Sequence, residues 1–214
     1  MTTLYIVRHG QSVANLEERF AGHSDFPLTD LGRRQAACAA AYLKEHVRLD
    51  AVYASDLSRA WETGSIIAGA QNLTPIADKG LREIWAGLWE SKKFSELEAE
   101  FPESYTVWKQ NIGRAACDGG ESIAQVRRRV WAAVTAIVKK HPGEHIGIAS
   151  HGAAIRSLEA EIRGLSPDEV KDYPWVGNAS ITTVVFDDTM HAEIMERDNR
   201  EPLDDLASSL PANV

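Results

Sequence analysis

Cysteine is nearly absent: Cys38 and Cys117 are the two in 214 residues, and neither belongs to a CxxC-type cluster. This offers no thiolate metal site and no disulfide framework, and fits two free thiols in a reducing compartment. Long apolar runs are also missing, since none approaches the roughly 18 residues of a membrane-spanning helix. So is any basic excess. The 23 Lys and Arg are outnumbered by 31 Asp and Glu, for a net charge of −8, which argues against nucleic acid as the main partner because counterion release needs a dense basic face. A small anion stays compatible, since a basic pocket can sit inside an acidic shell. The stretch Met1 to Val7 has no basic lead-in and only a four-residue apolar run, so no signal peptide is expected and the expected compartment is the cytoplasm. His46, His141, His145 and His191 have no metal-ligand spacing, and Asp25, Asp56 and Asp118 make no plausible Mg²⁺ set. Neither metal nor cofactor is expected.

What is present is enough for a core. The 44% hydrophobic content and six tryptophans exclude overall disorder, and the length suits about one domain. Leu4-Tyr5-Ile6-Val7 reads as a strand buried on both faces. Thr29 offers an N-cap to an alanine-rich helix over Asp30 to His46. Ala51 to Ala54 is a second strand; Ser55-Asp56 then caps a helix from about Leu57 to Ala70, and Thr74 to Ala77 is a short strand. Residues from about 84 to 118 break this rhythm and read as an inserted lobe of irregular helical turns. After Gly119-Gly120, Glu121 to Lys140 reads as a helix with Ile123, Val126, Val130, Val134 and Ile137 on one face. His145 to Ala149 is a further strand, then a helix runs from about Ala153 to Arg163. Ser180 to Phe186 and His191 to Met195 make a closing hairpin. The alternation predicts an α/β fold: three layers, a mostly parallel central sheet flanked by helices, and the small lobe over the active site. Residues 1–196 are read as a single domain and 197–214 as a polar C-terminal tail.

Polar residues collect where strands end. The first ends in Arg8-His9-Gly10, the second leads to Arg59, and another runs into His151-Gly152. Ligands of open parallel sheets sit outside the carboxyl ends of the strands. If these three strands are neighbours, two arginines and two histidines converge there, beside helix N-termini that favour anions. Guanidinium groups grip phosphate bidentately, so a phosphoryl group is the expected tenant. A neutral imidazole beside it is a competent nucleophile, and nearby arginines lower its pKa. Gly10 lets the backbone turn sharply and approach the ligand. Glu83 sits where the sheet gives way to the lobe, and desolvation by Trp85 and Trp89 would suit it to protonate a leaving group.

These residues carry a resemblance. Arg8-His9-Gly10-Gln11-Ser12 with Asn15 resembles the RHG signature of the histidine phosphatase (phosphoglycerate mutase-like) superfamily, and the likeness continues through Phe20 to Asp25 and Pro27-Leu28-Thr29. It recurs in Ser55 to Thr63, in Leu81-Arg82-Glu83, in Gly119-Gly120-Glu121-Ser122 and in Ser150-His151-Gly152. Six blocks in family order between residues 4 and 186 are far more specific than a bare tripeptide. The resemblance implies that His9 is the phosphorylated nucleophile and Glu83 the proton donor. Arg8, Arg59 and His151 would complete the phosphate pocket; Asn15, Gly22 and the Gly152 N–H would touch phosphate or substrate. His23 is placed either at the pocket mouth or in a turn, and Arg82 outside direct contact. After Glu83 the sequence departs from the family's aromatic-glycine, Trp-Glu-Gly pattern, reading Trp85-Ala86-Gly87-Leu88-Trp89-Glu90-Ser91, which puts substrate identity in doubt.

The implied activity is metal-independent hydrolysis of a small phosphorylated metabolite through a phosphohistidine. Two alternatives stay open: mutase-type phosphoryl transfer, and a non-catalytic binder of phosphorylated ligands. The short, acidic stretch 90–120 favours hydrolysis, because mutases resembling this chain carry a longer, basic insertion there. A homodimer is compatible with the sequence. Arg127-Arg128-Arg129 reads as the solvated face of a helix, and Arg114, Trp85 and Trp89 as packing within the lobe.

Overall fold

The computed structural model describes residues 1–208. Six strands form one sheet: β1 (Thr2–Arg8), β2 (Ala51–Ala54), β3 (Ile76–Ala77), β4 (His145–Ser150), β5 (Ile181–Phe186) and β6 (Ala192–Asn199), in the order β3-β2-β4-β1-β5-β6. β3, β2, β4 and β1 run parallel, while β5 and β6 close the far side antiparallel. The three strands expected to carry the chemistry are therefore side by side. Arg8 pairs with Ser150 and Ala54 with Ala149, so the chain leaves all three at the same edge.

Alternation along the strands makes two cores. Leu4 and Ile6 face a layer built by α6 (Ile123–Lys140) and α7 (Gly152–Ile162), whereas Val7 and Val52 face α2 (Asp30–His46) and α3 (Ser58–Ala70). This is the expected three-layer α/β arrangement. Local chemistry starts the long helices. Thr29 accepts the Gly32 amide at the head of α2, and Ser122 forms a capping box with Gln125 at the head of α6. α6 begins at Ile123, not Glu121. α3 departs further from expectation: its N-cap is Leu57, with no side-chain cap, and Asp56 instead pairs with Arg82.

The lobe consists of α4 (Phe94–Glu100), α5 (Pro102–Gln110) and two short 3₁₀ turns, preceded in the chain by the one-turn α1 (Val13–Leu16). Phe20, Trp89 and Trp108 stack edge-to-face, with Phe20 and Trp108 centroids 4.9 Å apart. A short α8 (Pro167–Val170) lies against the lobe's second 3₁₀ turn, Ile112–Arg114.

Two expectations change. The polar tail does not begin at 197, because β6 runs to Asn199 and a 3₁₀ turn over Glu201–Leu206 follows. Leu203 is 1% exposed and belongs to the α2/α3 core, and the Leu206 carbonyl accepts from Gln35. Burying that leucine contributes about 2 kcal/mol, which accounts for the chain returning to the body. The last part of the expected tail, 209–214, lies outside the described residues. Gly10 also has a different reason from the one expected. It has no positive φ, and a Cβ there would lie 2.2 Å from the Gly32 carbonyl oxygen of α2. Its small size lets the loop after β1 cross the helix backbone directly. Gly10→Ala should therefore destabilise the fold by about 3 kcal/mol, checked by urea denaturation; an unchanged midpoint would contradict this close approach.

Candidate active site

A cavity opens at the carboxyl edge of β1, β2 and β4, lined at its inner end by Arg8, His9, Asn15, Gly22, Arg59, Glu83 and Gly152. His9 is buried, and its Nδ1 lies 2.7 Å from the Gly10 carbonyl oxygen. A carbonyl only accepts, so Nδ1 carries the proton and Nε2 keeps its lone pair. Burial, then Arg59 and Arg8, push the His9 pKa well below 6.5, against the Gly10 hydrogen bond. The imidazole is neutral at neutral pH.

Arg8 is anchored by the Val176 carbonyl at 2.6 Å, and Arg59 by the carbonyls of Gly22 and Ser24 at 2.7 and 3.0 Å. Burial draws the Arg8 pKa down to about 10, with Glu83 and Asp198 opposing. The Nε atoms of both arginines are buried without a hydrogen-bond partner among the described residues. So is Nδ1 of His151. Unpaired buried guanidinium donors are costly, and Arg8 and Arg59, which both line the cavity, suit an anion there.

His151 does not line the cavity. It is fully buried behind His9, its ring centroid 5.2 Å away in an edge-on arrangement, and its Nε2 meets Ser55 Oγ at 2.8 Å. Burial first, then Arg59 and His9, hold its pKa well below 6.5. Two such histidines make stability depend on pH with a definite sign. Below pH 6.5 the unfolded chain binds protons that the folded protein refuses, so stability falls as pH falls, by up to about 1.4 kcal/mol per pH unit for each histidine. Denaturation at successive pH values from 7.5 to 5 should show this slope, and His9→Gln should reduce it; an equal slope in the variant would remove His9 from the account.

Glu83 is held differently from expectation. Trp85 is half-exposed and Trp89 is stacked inside the lobe; neither lines the cavity. The Glu83 carboxylate instead accepts the amides of Ile84, Ala153 and Ala154, the last two opening α7. The helix N-terminus thus holds an internal carboxylate, and Gly152 lines the cavity. Asn15 Oδ1 accepts from Ser12 and Asn178, which leaves its Nδ2 end for the cavity. Gly22 sits at φ +52°, where a Cβ would strike Glu90.

His23 proves to be a turn residue with a structural partner, not part of the cavity wall: its ring Nε2 lies 2.9 Å from the Glu83 carbonyl oxygen. Arg82 forms a two-bonded pair with Asp56 outside the cavity, as expected, and Arg114 pairs with Asp168 on the surface. Sequence reasoning missed the outer wall. Phe94, Trp108 and Trp175 line it, with Arg19 as its cation. Trp175 rests 3.3 Å from where a Gly152 Cβ would be, and nothing in its Tyr173-Pro174-Trp175 setting announced this.

Residues 4–196 match the family described as histidine phosphatase superfamily, branch 1. This chain belongs to that superfamily. Among curated relatives, it is 37% identical over 164 residues to phosphoglycerate mutase-like protein 4 of Arabidopsis thaliana, covering 75% of this chain and 70% of that protein. It is 32% identical to phosphoserine phosphatase 1 of Hydrogenobacter thermophilus, covering 77% and 78%. Among solved structures, Bacillus stearothermophilus YhfR superposes with a TM-score of 0.88 at 33% identity, covering 93% of this chain and 98% of that one. Five of the six sequence blocks contribute residues to the cavity, and the Gly119-Gly120-Glu121-Ser122 block does not. Among the described residues no helix is long and apolar enough to cross a membrane.

Proposed function

We propose that this protein is a metal-independent phosphatase that hydrolyses a small phosphomonoester through a phosphohistidine on His9. The observation that carries this reading is the His9 ring: Nδ1–H is committed to Gly10, and Nε2 is left beside two buried arginines with unpaired donors. Arg8, Arg59, the Gly152 N–H and Asn15 hold the phosphoryl oxygens, and His151 packs edge-on behind the His9 ring. The His9 Nε2 lone pair attacks phosphorus while the ester P–O bond breaks. Glu83 gives a proton to the leaving oxygen, and the alcohol departs neutral. The positive charge gathered on the phosphorylated ring is stabilised by the Gly10 carbonyl. Water then attacks phosphorus, Glu83 takes its proton, the P–N bond breaks, and inorganic phosphate and neutral His9 are restored. The guanidinium groups neutralise charge throughout, so no metal is called for.

The outer wall supports hydrolysis over mutase transfer. A bisphosphorylated primer needs a second cationic site, whereas Phe94, Trp108 and Trp175 present rings, with Arg19 the one cation there among the described residues, itself paired with Glu17. The wall suits an organic group with an apolar or flat face. Two free cysteines, Cys117 buried, fit a cytoplasmic setting. The test is turnover of p-nitrophenyl phosphate in EDTA without bisphosphoglycerate, followed by alkaline quench to trap base-stable phosphoprotein. Turnover with a trapped phosphohistidine supports the reading. Turnover that appears only with bisphosphoglycerate would establish the mutase, and none under either condition would leave a phospho-ligand binder.

A further inference from the structure

Glu83 stands in a stretch with almost no regular structure. β3 ends at Ala77, one 3₁₀ turn spans Lys79–Leu81, and the next begins at Gly87. No ladder of strand hydrogen bonds holds residues 82–86, yet a proton donor must be placed to within a fraction of an ångström.

Beside the His23 ring on the Glu83 carbonyl and the Arg82–Asp56 pair, one side chain from α6 makes several ties to this stretch. Arg129 has five N–H donors, and all five bonds are made. Its Nη1 donates to the carbonyls of Gly80 and Arg82 at 3.0 and 2.9 Å, and one Nη2 bond reaches the Glu83 carbonyl at 3.0 Å. The remaining two, from Nε and Nη2, form a fork on Glu121 at 2.9 and 2.8 Å. Glu121 in turn accepts the Trp85 amide at 2.9 Å, and its own amide donates to the Trp85 carbonyl at 2.8 Å. Backbone on both sides of Glu83 is thus fastened to the head of α6. Arg129 is not the solvated residue that the Arg127-Arg128-Arg129 run suggests. Arg128 alone of the three is exposed, while Arg127 pairs with Glu161.

We propose that Arg129, braced by Glu121, is a positioning residue for Glu83: it fixes the backbone from which the proton donor reaches the leaving oxygen. Arg129 does not line the cavity, so its influence on the reaction passes through Glu83. This rests on the assignment of Glu83 as the acid. It also gives Glu121, in the Gly119-Gly120-Glu121-Ser122 block, a physical task. A lysine at 129 would keep the charge but lose the planar fork that serves three carbonyls and a carboxylate at once.

The experiment compares kcat/KM for p-nitrophenyl phosphate and phenyl phosphate, two esters of similar shape whose leaving groups differ in their need for a proton. Wild type, Arg129→Lys, Glu83→Gln and the double variant are measured, with melting temperatures alongside. The expected result for Arg129→Lys is a loss of about tenfold on phenyl phosphate and under about threefold on p-nitrophenyl phosphate. In the Glu83→Gln background the same change should cost less than about twofold, because residues acting as one unit are not additive. Equal losses on both esters, or full additivity, would overturn the proposal, since a general weakening of the fold predicts both. If Glu83→Gln itself showed no preference between the esters, the acid assignment would fall and the proposal with it. Should Arg129→Lys not fold, Glu121→Gln, which loosens the brace and leaves Arg129 in place, is expected to show the same selective loss to a smaller degree; no selectivity there would overturn the proposal equally.

Discussion

Replacing His9 with alanine should reduce phosphomonoester turnover by on the order of 10⁴-fold or more, the scale seen when a covalent nucleophile is removed. Among the described residues no second histidine lines the cavity to replace it. His151 is fully buried and outside the cavity wall. The fold should survive. The ring makes one side-chain hydrogen bond, to the neighbouring Gly10 carbonyl, while the backbone amide keeps its bond to Ser150. Binding should survive as well, since Arg8 and Arg59 are anchored by backbone carbonyls independent of His9. Turnover, melting temperature and phosphate binding measured together give the expected pattern of lost catalysis with retained folding and binding. Activity within tenfold of wild type would refute the phosphohistidine route.

Glu83→Gln is the second large effect, and its form matters more than its size. General acid catalysis contributes about 10²–10⁴-fold where the leaving group needs a proton, so phenyl phosphate should lose kcat/KM on that order. p-Nitrophenolate leaves readily without help, and its ester should lose far less. A glutamine has a structural consequence too. The Glu83 carboxylate accepts amides on both oxygens, Ile84 and Ala154 on Oε1 and Ala153 on Oε2. Glutamine brings an NH₂ group to one of those donors and leaves it unpaired, a cost of about 1–3 kcal/mol. A lower melting temperature is therefore expected, and the comparison between esters separates this from chemistry. A loss equal on both esters would count against Glu83 as the acid.

Much of this protein is legible in sequence because much of it is decided locally. The α2 range, its Thr29 cap and β2 follow from neighbours a few residues apart, as does the α6 apolar stripe. The candidate site residues His9, Arg8, Arg59, Glu83, Asn15, Gly22 and Gly152 stand in blocks dense enough to be read without coordinates, and the structure brings them to one cavity, while His151 and His23, read as candidates too, do not line it. Local reading fails where the deciding partner is far along the chain. Ser55 and Asp56 look like caps but answer to His151 and Arg82. His23 resembles a pocket residue but bonds the Glu83 backbone 60 positions away.

Sequence alone thus determined the α/β class and the main strands and long helices, since caps, periodicity and motif blocks act over a few residues, whereas the lobe read as irregular turns holds the regular helices α4 and α5. Tertiary structure decided the rest. The strand order β2-β4-β1 makes three polar strand ends into one pocket, Gly10 is small because α2 crosses it at Gly32, and residues 201–206 pack because Leu203 finds a core. Trp108 and Trp175 become a wall, and Arg129 becomes a clamp. Each of these depends on burial and hydrogen bonding between distant segments, and a linear pattern of residue types does not encode which distant segment a side chain will meet.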